Sequence, residues 1–232
     1  MPQYYLIVPA SGLGKRMNAN LPKQYLKLDN GLSVLEQTLQ TLLNIKKIKG
    51  CVIALSDQDT HFAKSSFHKH PKILATVQGG KERFHSVFSA LEKINTFAND
   101  DDWVLVHDAA RPCVKAIEVE QLIQDLENHP TGGLLATPII DTVKQVEDFE
   151  AISTLDRSKL WRAQTPQMYR LGILNKALKQ VIKDNVNITD EASSIEYLGL
   201  KSHITPCSQN NIKITTPEDL DLANFYLRNS AE

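Results

Sequence analysis

The chain has 232 residues, 42% of them hydrophobic and 23% charged, an ordinary globular composition with enough apolar side chains for a sizeable core. Its formal net charge of −1 provides no global basic field for nucleic acid, so any anion must be met by local clusters. Three scattered cysteines without a CxxC pattern argue against a disulfide framework and for a reducing, cytoplasmic setting, and neither a signal peptide nor a membrane-length apolar run is present.

Apolar runs and helical patterns alternate along the chain. "YYLIV" (Tyr4–Val8) reads as a buried strand, and "SVLEQTLQTLLNI" (Ser33–Ile45) as a helix opened by a Ser33/Glu36 capping box. Strands follow at "CVIAL" (Cys51–Leu55) and "KILATVQ" (Lys72–Gln78), then a helix in "ERFHSVFSALEKI" with Phe84, Val87, Phe88 and Leu91 on one face. "WVLVHD" (Trp103–Asp108) is a strand ending at an acid, followed by a helix in "AIEVEQLIQDLEN" and a strand in "GGLLATPI". Near residue 139 the pattern changes. "IIDTVKQVEDFEAISTLDR" alternates over two short runs with acids at the turn, which predicts a β-hairpin arm. Helices near Leu171–Ile182 and Asp190–Leu198, strands in "SHITP" and "NIKIT", and a final helix with Thr216 as N-cap and Pro217 at its first position complete the chain. The alternation predicts an α/β fold, a mostly parallel twisted sheet with helices on both faces, whose ligands bind beyond the carboxyl ends of the strands.

After the first strand comes "VPASGLGKRMNANLPKQY" (Val8–Tyr25). As a P-loop it fails, because Pro9 stands at the first glycine and Arg16 at the metal-binding hydroxyl. As a dinucleotide fingerprint it meets Met17 at the third glycine. Its glycines still let backbone N–H groups approach an anion, and Arg16 and Lys23 add two charges from one loop. The plain alternative is a tight turn with solvated cations.

The loop, with "GGKERFHSV" (Gly79–Val87), "VHDAARPCV" (Val106–Val114), "DTVK" (Asp141–Lys144), "DRSKLWRAQTPQ" (Asp156–Gln167), "TDEAS" (Thr189–Ser193) and "NIKITTPEDL" (Asn211–Leu220), resembles the 2-C-methyl-D-erythritol 4-phosphate cytidylyltransferase family of the non-mevalonate isoprenoid pathway. The resemblance spans residues 4–228 and departs at Ser11, where many members carry alanine. It implies a Rossmann-like nucleotidyltransferase fold in a single domain over residues 1–232, with a β-hairpin dimerisation arm at about 139–157. It also implies attack by a polyol phosphate on the α-phosphorus of CTP, with release of pyrophosphate. Arg16, Lys23, Arg157 and Lys213 would be catalytic. Ala10, Ser11, Gly12, Gly14, Gly80, Arg83, Ser86 and Asp108 would bind the nucleotide, with Gly80 and Ser86 selecting cytosine. Asp108, Arg111, Thr142, Arg157, Thr165, Thr189 and Lys213 would bind the acceptor, Thr142 and Arg157 serving the site of the second subunit in a homodimer. Mg²⁺ would come with CTP, held mainly by phosphates and water, with no protein residue assigned as ligand. Two other readings stay open at this level: a ribitol-5-phosphate cytidylyltransferase, and a regulatory nucleotide-binding module without turnover. Retention of all four catalytic cations disfavours the second. The chain ends after the final helix, so no fused second catalytic domain is expected. Nor is membrane or nucleic-acid binding, and His61, His68 and His70 read as solvated rather than as a metal cluster.

Overall fold

A seven-stranded sheet in the order β3-β2-β1-β4-β8-β5-β9 organises the computed structural model, which describes residues 2–12 and 21–229. Its strands are β1 (Tyr4–Ala10), β2 (Ile48–Leu55), β3 (Ile73–Gln78), β4 (Trp103–Val106), β5 (Gly132–Pro138), β8 (Trp161–Arg170) and β9 (His203–Pro206). A separate two-stranded ribbon pairs β6 (Lys144–Glu147) with β7 (Glu150–Thr154). The helices are α1 (Val34–Leu43), α2 (Arg83–Ile94), α3 (Ala116–Leu126), α4 (Leu171–Lys183), α5 (Glu191–Tyr197) and α6 (Pro217–Asn229). All sheet neighbours pair in parallel except β8, which runs antiparallel to both β4 and β5.

Period-two alternation divides each central strand between two cores. Leu6 and Val8 of β1 join Trp103 and Leu105 of β4 under α1 and α3. Tyr5 and Ile7 join Val104 and Val106 under α2, α4 and α5. Both faces of the sheet are therefore covered, as the near-continuous apolar runs require. Each fully buried aliphatic side chain contributes about 1.5–3 kcal/mol. The Ser33/Glu36 capping box forms reciprocally at the start of α1. A smaller apolar cluster seats α6 against Leu28, Cys113 and Ile214. The helix opens at Pro217, and Asp219 Oδ2 accepts from the N–H groups of Thr215 and Thr216.

Two features differ from the sequence expectation. "WRAQTPQMYR" is a ten-residue strand at the middle of the sheet, although Pro166 and its polar residues obscure the pattern. The β5–β8 register shifts between Leu134 and Ala136, which accommodates a residue lacking a ladder N–H. "NIKIT" is irregular chain, not a strand. The arm is a hairpin, as its alternation predicts. Its turn places Asp148 and Phe149 at φ of 47° and 66°, the left-handed pair of a tight two-residue hairpin.

Candidate active site

β1, β2 and β3 step outward in one direction and β4 lies on the other side of β1, so the crevice at their carboxyl ends is a topological switch point. A cavity of about 590 Å³ opens there. Ala10, Ser11 and Gly12 line it from the end of β1, Gly80 and Arg83 from the β3–α2 turn, and Asp108 from the end of β4. Lys23 and Lys213 line it from later loops.

Asp108 is the electrostatic centre. Arg83 Nε donates to its Oδ1 at 2.7 Å, and Lys213 Nζ to its Oδ2 at 2.8 Å. Arg111 Nε lies 3.6 Å from Oδ2. Burial alone would raise the Asp108 pKa, but Arg83, Lys213 and Arg111 together hold it well below the usual carboxylate range. The carboxylate is thus a fixed anion at neutral pH. Arg111 Nε is buried with no hydrogen-bond acceptor among the described residues, its approach to Asp108 being longer than a hydrogen bond.

Segment 211–215 is fastened over this acid. Arg111 Nη1 donates to the carbonyl of Asn211 at 2.7 Å, and Ile214 N–H to the carbonyl of Ala110 at 2.8 Å. Asn211 Nδ2 donates to the carbonyl of Thr165 at 2.7 Å, and Lys23 Nζ to the carbonyl of Ile214 at 2.8 Å. Irregular backbone here spends its polar groups on the site instead of on a ladder. Gln24 extends the fastening by donating to the carbonyl of Ala10 at 2.7 Å.

Beneath Asp108 lies a buried chain of neutral groups. Burial lowers the His107 pKa to about 4, so the ring is neutral at pH 7. Its Nε2 lies 3.1 Å from the carbonyl of Arg111, which can only accept, so the tautomer assigned from this network carries the proton there. Nδ1 then accepts from the Thr165 hydroxyl at 3.1 Å, and Thr165 Oγ1 accepts from the Asp108 N–H at 3.1 Å. The Thr165 proton is therefore used internally. Thr165 lies behind Asp108 rather than on the cavity wall.

At the nucleotide end, Ser86 is fully buried and its Oγ accepts from Gly80 N–H at 3.1 Å. Ser11 Oγ lies 2.8 Å from Ser86 Oγ and stands between it and the cavity. A Cβ on Gly79 would meet Ser11 Cβ at 2.4 Å, so this approach requires glycine.

This crevice unites Ala10, Ser11, Gly12, Lys23, Gly80, Arg83, Asp108 and Lys213 on one wall, with Arg111 and Ser86 directly behind. Gly14 and Arg16 lie outside the described residues. Thr189 lines a second cavity, beside Trp161 and Ala163. Thr142 and Arg157 stand at the base of the arm, where Arg157 Nη1 donates to the carbonyl of Ile140. They do not line the crevice of their own chain.

A family model described as IspD: 2-C-methyl-D-erythritol 4-phosphate cytidylyltransferase matches residues 4–229. The chain belongs to this family. A cytidylyltransferase of that name from Ruthia magnifica subsp. Calyptogena magnifica is 59% identical over 230 residues, covering 97% of this chain and 96% of the relative. One from Vibrio vulnificus (strain CMCP6) is 45% identical, covering 98% and 95%. The crystal structure of the Francisella tularensis family member superposes with a TM-score of 0.84 at 39% identity, covering 97% of this chain and 99% of that one.

Several groups of this cytidylyltransferase site are absent from the sequence reading: Gln24, His107, Gln167, Glu191 and Asn211. Each is a polar residue inside or next to a motif, and its burial is the signal that composition cannot give. Asp108 is committed to cations, and no group of three His, Cys, Asp or Glu side chains gathers among the described residues.

Proposed function

We propose that this chain transfers the cytidylyl group of CTP to 2-C-methyl-D-erythritol 4-phosphate, giving 4-diphosphocytidyl-2-C-methyl-D-erythritol and pyrophosphate for isoprenoid precursor synthesis. The observation that carries this reading is the crevice itself. In a member of this family, one switch-point cavity holds a single buried acid paired with Arg83 and Lys213, and Lys23 lines the same cavity. A phosphate oxygen of the acceptor attacks the α-phosphorus of CTP. The bond from that phosphorus to its bridging oxygen breaks, and pyrophosphate leaves. Two anions must be brought together, so catalysis is mainly positioning and charge compensation.

In this reading the nucleotide lies along β1, with its base toward Gly80, Ser11 and Ser86 and its phosphates toward Lys23; Arg16 keeps the phosphate role that its motif implies. Lys213 and Arg111 receive the acceptor phosphate, and Asp108 accepts a sugar or polyol hydroxyl between them. Thr165 serves by holding Asp108. Mg²⁺ enters as the Mg·CTP complex, a substrate in its own right, and no step depends on a protein ligand to it.

The arm supports a homodimer. An isolated two-stranded ribbon is marginal in water, and this one exposes Val146, Phe149 and Ile152, with Ile140 and Trp161 at its base. Packing these side chains on a second copy would carry Thr142 and Arg157 into the partner's crevice, giving a two-fold assembly with composite sites. Thr189, on its neighbouring cavity, would face the same acceptor end. Three free thiols, two of them buried, fit a cytoplasmic setting.

Pyrophosphate release tests the assignment, measured with Mg·CTP and either methylerythritol 4-phosphate or ribitol 5-phosphate. Turnover with methylerythritol 4-phosphate is expected. Turnover with ribitol 5-phosphate alone would overturn the acceptor, and none with either would restore the regulatory module.

A further inference from the structure

Glu191, the first residue of α5, is fully buried and lines no cavity wall beside the nucleotide. Its Oε1 and Oε2 accept from Arg83 Nη1 at 2.6 Å and Nη2 at 3.0 Å, while Arg83 Nε holds Asp108 Oδ1 at 2.7 Å. One planar guanidinium thus spans two carboxylates through two different edges. We propose that Glu191 is a positioning residue for cytidylyl transfer, acting through Arg83 to fix the rotation of the Asp108 carboxylate. This inference rests on the reading of Lys213 and Asp108 as the acceptor end of the site.

Asp108 is pulled from two directions: Arg83 takes Oδ1, and Lys213 takes Oδ2 at 2.8 Å. These opposed pulls set its side-chain torsion. Without Glu191, Arg83 loses two of its three anchoring bonds and can leave Oδ1. Oδ1 can then turn toward Lys213 and Arg111 as Oδ2 already does, so that both oxygens compete with the acceptor phosphate for the ammonium.

Glu191 is itself held rigidly. Gln167 Oε1 accepts from Ala192 N–H at 2.8 Å, and Gln167 Nε2 donates to Asp190 Oδ2 at 2.8 Å. Asp190 Oδ1 caps the helix by accepting from Ser193 N–H at 2.9 Å. The first turn of α5 is therefore clamped to β8 next to Thr165, the residue that holds the Asp108 backbone. A buried ion pair is a poor device for stability compared with apolar packing, which favours an orienting role for one aimed into the site.

The test uses the full chain carrying Glu191→Gln and, separately, Glu191→Asp, with the folded fraction of each measured by denaturation. KM for the polyol phosphate is expected to rise about tenfold in Glu191→Gln, the lower end of what losing an orienting partner costs, and by more than KM for CTP. Glu191→Asp, with its carboxylate drawn back by one methylene, should give a smaller rise in the same direction. A purely structural role lowers the active fraction and leaves KM unmoved, and that result would overturn the proposal. If Glu191→Gln does not fold, a folded Glu191→Asp with wild-type KM values overturns it equally. Wild-type enzyme inactive with either polyol phosphate would instead remove the functional reading underneath.

Discussion

Replacing Asp108 by asparagine keeps the side-chain shape and removes the one charge shared by three cations. At an effective dielectric of about 20, a unit pair at 2.8 Å is attracted by roughly 6 kcal/mol, and Lys213 and Arg83 both lie at about that distance. Desolvation of each buried ion offsets several kcal/mol of this gross figure, so the quantity to use is the net cost of removing one partner from a buried cluster, about 3–5 kcal/mol. For a chain of this size each kcal/mol moves Tm by about 2–4 °C, so a fall of roughly 6–20 °C is expected at pH 7. Thermal denaturation followed by circular dichroism checks it. The pH dependence gives a second signature. Because the folded pKa of Asp108 is depressed, its contribution is complete above the unfolded value near 3.8 and is lost as pH falls toward the folded value. The gap between wild type and Asp108→Asn should therefore narrow below about pH 4. A shift in Tm under about 2 °C at pH 7, or a gap that stays constant into acid, would refute the placement of Asp108 as a paired, ionised centre.

Ser86→Ala removes the acceptor of the Gly80 N–H and the partner of Ser11. At about 1–1.5 kcal/mol for a net hydrogen bond, kcat/KM for CTP should fall roughly tenfold against UTP. Steady-state kinetics with both nucleotides decide it, and an unchanged ratio excludes base reading at this point. If the arm builds the proposed dimer, exchanging Val146, Phe149 and Ile152 together for serine should leave a monomer in gel filtration and abolish turnover, because Thr142 and Arg157 would no longer reach a partner's site; a fully active monomer would contradict the shared site. Glu36 is buried, which alone would raise its pKa. The Ser33 backbone and the Ser65 and Ser33 hydroxyls bring it instead to about 2. Its contribution to stability is thus present above about pH 4.5 and lost as pH falls toward 2, so Glu36→Gln should flatten the acid limb of a denaturation profile.

The parallel half of the sheet was legible because strands buried on both faces read as apolar runs, and α1 announced itself through its capping box. The strand Trp161–Arg170 was not, and the reason is functional. Thr165 and Gln167 occupy positions where a central strand usually carries aliphatics, because they hold Asp108 and the start of α5. Pro166 between them breaks the ladder and the pattern at once. "NIKIT" failed in the opposite sense. Its alternation looks like a strand, yet its backbone groups bind Ala110, Lys23 and Arg111.

The cations of the site were legible as residues, but their arrangement was not, because it depends on counter-charges distant in sequence. Three cations, Arg83, Arg111 and Lys213, meet two carboxylates, Asp108 and Glu191, contributed by four different segments. A crevice of bare cations would repel itself and cost desolvation at every charge. Interleaving carboxylates lets the cluster persist with a small net positive charge before any substrate arrives. In the proposed reaction an incoming phosphate would exchange with a protein carboxylate for the same donors, rather than meet an uncompensated field. Affinity for either substrate would be moderated by that competition, while an interaction strengthened only as charge builds in the transition state would not. This is the condition under which binding energy raises kcat rather than merely lowering KM.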